Sequence, residues 1–130
     1  MTDRALSGYR IIILEDDYYQ AQDWKQAFEQ AGAKVIAVSA TVPDLTELLA
    51  NGRIDAALID INLGRSLSLD FARDLRTRAI PFAFLTGYDA AILPDDLAGS
   101  PCLSKPAEIG RVVGTLASLA SGICAPCGEV

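Results

Sequence analysis

Hydrophobic and polar positions along this chain switch repeatedly between a period of two and a period of three to four, and the switches delimit its elements. A β-branched run, Tyr9-Arg10-Ile11-Ile12-Ile13-Leu14, stops abruptly at Glu15-Asp16-Asp17, which predicts a buried strand ending in carboxylates. Ala21, Trp24, Ala27, Phe28 and Ala31 then recur three and four apart up to Gly32, the spacing of an amphipathic helix with a glycine stop. Lys34 to Ser39 predicts a second strand, Pro43 to Asn51 a second helix opened by proline and closed by Gly52, and Ile54 to Asp60 a third strand, again ending in an aspartate. A polar loop, Asn62 to Ser66, leads into helical Leu67 to Arg78, and Ile80 to Leu85 forms a fourth strand ending at Thr86-Gly87. From Tyr88 to Gly99 the pattern breaks: Pro94 and the Asp95-Asp96 pair interrupt any helix, so a short irregular connection is expected. Cys102-Leu103-Ser104 is a brief fifth strand before Lys105-Pro106, and Ile109, Val112, Val113, Leu116, Leu119, Ala120 and Ile123 make the stripe of a last helix.

Strands that alternate with helices pair in parallel through right-handed crossovers, so the expected class is α/β, a doubly wound five-stranded parallel sheet with helices on both faces. Ligands in such sheets bind at the carboxyl ends of the strands, beside the point where strand order reverses. Composition fits one domain: 130 residues, 51% hydrophobic and 22% charged. Seventeen acidic against 11 basic residues leave a net charge of -6, which argues against the basic surface that direct nucleic-acid binding needs. The absence of His removes His-centred triads, most zinc sites and any role as a phosphohistidine carrier. Cys102, Cys124 and Cys127 are an odd count behind an N-terminus with no signal peptide, and the uncharged run from Val112 to Gly128 is too short and polar to span a bilayer. A reduced, cytoplasmic protein without membrane attachment is expected.

Glu15-Asp16, Asp60, Thr86 and Lys105 follow strands one, three, four and five, so segments far apart in sequence deliver polar groups to one sheet edge. An aspartate at a single strand end is ordinarily a cap or turn residue; acids, hydroxyl and amine at successive strand ends in one register make a shared site. Crowded carboxylates raise each other's pKa unless a cation neutralises them, and hard oxygen ligands favour Mg²⁺. Lys105 and Thr86 complement a tetrahedral anion held against such a metal, which points to phosphoryl chemistry.

These motifs resemble the receiver domain of bacterial two-component response regulators. Ile-Leu-Glu15-Asp16-Asp17 is similar to that family's acidic cluster, Leu-Ile-Asp60-Ile-Asn62-Leu to its phosphoacceptor strand end, Phe-Leu-Thr86-Gly-Tyr to its switch hydroxyl, and Leu-Ser-Lys105-Pro106 to its basic site. The resemblance covers Tyr9 to Ser121 and implies a flavodoxin-like fold of sheet order 2-1-3-4-5, with a receiver unit over 7–122 and a flexible tail over 123–130. It implies that Asp60 accepts phosphate from the phosphohistidine of a histidine kinase or phosphotransfer protein. Mg²⁺ would be held by Asp16, Asp60 and the main-chain carbonyl of Asn62, with Glu15 acting mostly through water, while Lys105 and Thr86 grip the phosphoryl oxygens. It also implies a cis Lys105-Pro106 bond.

Three departures from the family pattern stand out. Cys102 occupies the position of the usual switch Tyr or Phe. Gly64 and Ser68 stand where a Pro and a Gly are common after the phosphoacceptor, and the connection containing Pro94 is shorter and more broken than the family's fourth helix. Tyr88, two residues past Thr86, reads equally as a surface aromatic or as a ring that overhangs the site. With no recognisable output domain in the sequence, a stand-alone module signalling through a downstream partner protein is expected, not a conventional enzyme. Two rival functions compete with this one: a receiver-like module that works without phosphate, and an aspartyl-nucleophile phosphatase, whose Asp-x-Asp pattern neither Glu15-Asp16-Asp17 nor Asp60-Ile61-Asn62 meets. The Cys124-Ala125-Pro126-Cys127 pair trails the last helix, whereas redox pairs open one, so it is not read as a redox site.

Overall fold

A computed structural model describes residues 5–61, 65–86, 93–97, 99–105 and 107–122. Its parallel strands β1 (Arg10–Leu14), β2 (Lys34–Ser39), β3 (Ala56–Asp60), β4 (Phe82–Thr86) and β5 (Cys102–Ser104) form one sheet in the order β2-β1-β3-β4-β5. Helices α1 (Tyr18–Gln30), α2 (Leu45–Ala50) and α3 (Arg65–Thr77) fill the first three crossovers, and α4 (Ile109–Ser121) follows β5. This is the doubly wound arrangement that the sequence implies, and strand order reverses between β1 and β3, where Leu14 lies opposite Ile59.

Period-two side-chain direction divides each central strand between two cores. Ile12, Leu14, Ile59 and Phe84 face Leu45 of α2 and Leu69, Phe71, Ala72 and Leu75 of α3. Ile11, Ile13, Leu58 and Leu85 face Trp24 and Phe28 of α1 and Val112 and Leu116 of α4. Covered on both faces, β3 and β4 are buried along their whole length and read as apolar runs up to their last residues, Asp60 and Thr86. Each fully buried Leu, Ile or Phe contributes about 2 kcal/mol, and the strand ends are therefore held on a rigid platform. Trp24 stacks near Phe28, 6.3 Å between centroids, a core role as its spacing predicts.

Element limits shift where backbone groups find other partners. α2 begins at Leu45 rather than Pro43, because the Asp44 carboxylate accepts from the amides of Thr46 and Glu47 and sets the N-cap. Asp17, part of the acidic run, does the same for Tyr19 and Gln20 in α1. β3 begins two residues later than the apolar run suggests, since Asp55 is occupied with the main chain of Arg10 on β1. β4 begins at Phe82, because Ile80 is used in closing α3: its amide donates to Leu75 at 2.9 Å while that of Ala79 donates to Arg76 at 3.0 Å. This Schellman closure puts Ala79 at φ 61°, a left-handed position. α1 ends in the same pattern with Gly32 at φ 98°, where a Cβ would come within 2.8 Å of the Ser7 Cα.

The stripe on α4 is narrower than its periodicity predicts: Val112 and Leu116 are buried, whereas Ile109 is exposed. Ile123 and the tail over 123–130 lie outside the described residues. Between β4 and β5 the described chain holds a single 3-10 turn, Asp95–Leu97, in keeping with the broken pattern around Pro94. Arg73 of α3 ties this turn down, its Nε donating to Asp96 at 2.8 Å and its Nη1 to Asp70 at 3.0 Å.

Candidate functional site

The carboxyl ends of β1, β3, β4 and β5 bring Glu15, Asp60, Thr86 and Lys105 together at one sheet edge, with Asp16 beside them. Each is fixed by the ladder that carries it. The Glu15 amide extends the β1–β2 pairing by donating to the Ser39 carbonyl at 3.0 Å. Asp60 is the last residue of β3, opposite Leu85, and the Lys105 amide donates to the Thr86 carbonyl at 2.7 Å, which aligns the ends of β4 and β5.

Glu15, Asp60 and Thr86 are buried, Asp16 is exposed, and Lys105 is partly covered. The Lys105 ammonium donates to Asp60 Oδ2 at 2.9 Å and lies 3.6 Å from Glu15 Oε1. One carboxylate oxygen each from Glu15, Asp16 and Asp60 falls within 4.8 Å of the others. Glu15 Oε2 accepts from the Asp17 amide at 3.3 Å, whereas buried Oε1 has no hydrogen-bond partner. Burial, then hydrogen bonding with Asp60 and repulsion from its charge, pushes the Glu15 carboxyl up to about 8, against the opposing pull of Lys105. Burial acts to lower the Lys105 ammonium, but the hydrogen bond and charge of Asp60, with Glu15 adding to them, outweigh it and hold the group above the usual lysine range.

Crowded oxygens, one of them buried without a donor, and a carboxyl pushed well up in pKa describe a site short of positive charge. The donor set is all oxygen, and it fits a hard divalent cation better than a soft one. Lys105 supplies the remaining cationic group, and Thr86 a hydroxyl, on the far side of Asp60 in strand order.

All of the expected site residues except Asn62 are among the described residues: Glu15, Asp16, Asp60 and Lys105 come together here, and Thr86 ends the adjacent strand β4. Asn62 is outside them, as are Gly64, Tyr88, Pro106 with its peptide bond isomer, and Cys124 and Cys127. Cys102 opens β5 opposite Phe84 and packs half-buried against the α2–α3 core. Sequence reasoning did not see the bond that Ser68, fully buried in the first turn of α3, donates to the Asp60 main-chain carbonyl at 3.1 Å. The available signal was a hydroxyl set between Leu67 and Leu69 in an otherwise apolar stretch. Nor did it anticipate the rim: among the described residues the exposed large hydrophobic side chains, Tyr18 (68%), Tyr19 (78%), Leu67 (60%) and Ile109 (49%), all sit in the first turns of α1, α3 and α4, at the edge that carries the acids.

The response regulator receiver domain profile matches residues 11–116. The receiver domain of the TMAO respiratory system response regulator TorR is 29% identical with a TM-score of 0.74, covering 89% of this chain and 99% of its own. A response regulator receiver protein from Burkholderia phymatum is 22% identical with a TM-score of 0.71, covering 91% and 98%. The REC domain of the Erythrobacter litoralis PhyR response regulator is likewise 22% identical, with a TM-score of 0.73 and coverage of 95% and 98%. No curated protein matches the chain.

Proposed function

The chain belongs to the response regulator receiver domain family, and from that premise we propose that it is a phosphoacceptor of two-component signalling, with Asp60 taking a phosphoryl group from the phosphohistidine of a partner kinase or phosphotransfer protein. The observation that carries this reading is the Lys105 ammonium 2.9 Å from Asp60 Oδ2 inside a cluster of carboxylates at the strand ends. A carboxylate oxygen of Asp60 attacks phosphorus as the bond to the imidazole nitrogen breaks, giving an acyl phosphate on the protein and a dephosphorylated donor. Burial strips water from Asp60, and the rigid ends of β3 and β5 hold nucleophile and cation in fixed relation. Lys105 then transfers its hydrogen bond to a phosphoryl oxygen, and the Thr86 hydroxyl donates to another.

Glu15, Asp16, Asp60 and the main-chain carbonyl of Asn62 would hold a divalent cation, Mg²⁺ by its preference for hard oxygen, with Glu15 acting mostly through water. The ion supplies charge neutralisation for the phosphoryl oxygens. The chain acts as the catalyst of its own phosphorylation and hydrolysis rather than as a conventional enzyme. The apolar rim around the site supports a protein as donor and as reader of the phosphorylated state. Among the described residues no helix is long and apolar enough to cross a membrane, and a cytoplasmic setting for the unit over 7–122 belongs to the same proposal.

Incubation with acetyl phosphate and Mg²⁺ followed by intact mass tests the reading. One added phosphoryl group is expected on the wild-type chain, none on Asp60→Asn, and none after chelation. Labelling that persists in Asp60→Asn would refute it.

A further inference from the structure

We propose that Ser68 is a positioning residue for the reaction at Asp60, its hydroxyl setting the peptide at the end of β3 and so the aim of the Asp60 carboxylate. This rests on the reading of Asp60 as phosphoacceptor. Ser68 is fully buried, and its Oγ donates to the main-chain carbonyl of Asp60 at 3.1 Å. A serine inside a helix ordinarily satisfies itself on the carbonyl four residues back. Here the bond reaches eight residues back, out of α3 and onto the strand end.

The bond joins two rigid bodies at the residue that reacts. α3 is seated on the sheet through Leu69, Phe71, Ala72 and Leu75, and the Asp60 carbonyl belongs to the peptide that leaves β3. A donor fixed to α3 limits rotation of that peptide, and with it the direction of the Asp60 Cα–Cβ bond toward Lys105 Nζ, 2.9 Å from Oδ2. A displacement of ~1 Å at a reacting group can cost as much as ~100-fold in rate, so even partial release of this peptide is visible in kinetics. Stability is less sensitive, because only one neutral hydrogen bond is lost.

The test uses the full chain, titrates acetyl phosphate as donor and Mg²⁺ each to saturation, and compares wild type, Ser68→Ala and Ser68→Thr by intact mass over time. Ser68→Ala is expected to lower the maximal rate of Asp60 phosphorylation about tenfold, with half-saturating acetyl phosphate and Mg²⁺ unchanged and cooperative unfolding retained. Ser68→Thr, which keeps the hydroxyl, should recover most of the rate. A wild-type chain labelled at Asp60 and a Ser68→Ala chain labelled at the same maximal rate would overturn the inference alone. So would a loss of rate matched by an equal loss of Mg²⁺ affinity, which would mark a general loosening of the site. A wild-type chain that takes no phosphoryl group on Asp60 would overturn the functional reading and this inference with it.

Discussion

Glu15 shows most directly how burial writes chemistry onto a single residue. Its carboxyl, raised from an ordinary 4.5 to about 8 chiefly by burial and then by Asp60, binds a proton more tightly in the folded chain than in the unfolded one. The native state therefore holds the extra proton between those two values, and this group's contribution to stability is greatest below pH 4.5 and is lost toward pH 8. For one group the slope approaches ~1.4 kcal/mol per pH unit. Urea titrations without divalent cations should show this decline in the wild type, a flatter profile in Glu15→Gln, and a flatter one again when Mg²⁺ replaces the proton as counter-charge. Identical profiles for wild type and Glu15→Gln would contradict the assignment. Ala79 carries a cost of a different kind: a β-carbon at φ 61° is strained by roughly 1–2 kcal/mol, partly offset by the greater freedom glycine would give the unfolded chain. Ala79→Gly should therefore stabilise the protein by ~0.5–1 kcal/mol, read as a higher urea midpoint at unchanged m-value.

At the scale of elements, Asp16 and Asp17 are neighbours with separate tasks. Asp17 caps α1 through the amides of Tyr19 and Gln20, and Asp17→Ala should cost about 1 kcal/mol of stability while phosphorylation still proceeds. Asp16 offers an oxygen to the acidic cluster from an exposed position. Asp16→Ala should leave thermal stability nearly unchanged and raise the Mg²⁺ concentration needed for labelling at least tenfold; equal Mg²⁺ requirements in the two variants would refute this division of labour. This distinction was not legible in the sequence, where Glu15, Asp16 and Asp17 read as one run. Periodicity located β2 and β5 to the residue, because Lys34–Ser39 and Cys102–Ser104 are bounded by breakers that no distant contact overrides. It misjudged the starts of α2 and β4, where Asp44 and the closure of α3 claim the backbone. Strand-end chemistry was legible because a parallel sheet collects those positions at one edge whatever the loops do. Links such as Arg73 to Asp96 or Ser68 to Asp60 join elements whose separation no local period encodes.

For the whole molecule, strand order determines what the site contains at each stage of assembly. β1 pairs with both β2 and β3, so the stretch from Arg10 to Asp60 can complete a three-stranded unit carrying Glu15, Asp16 and Asp60 before β4 and β5 are needed. Lys105 is contributed from beyond the edge strand, whose three residues pair with β4 alone. A chain of net charge -6 would then gather its acids first and neutralise them last. Interactions missing from the folding transition state affect unfolding far more than folding. Lys105→Ala should accordingly raise the unfolding rate about tenfold, equivalent to ~1.4 kcal/mol, and leave the refolding rate close to wild type in a stopped-flow chevron at neutral pH. A refolding limb slowed as much as the unfolding limb is accelerated would place Lys105 in the nucleus instead. The order 2-1-3-4-5 thus acts as a schedule: the positive charge that completes the site is also the latch whose arrival signals that the sheet is whole.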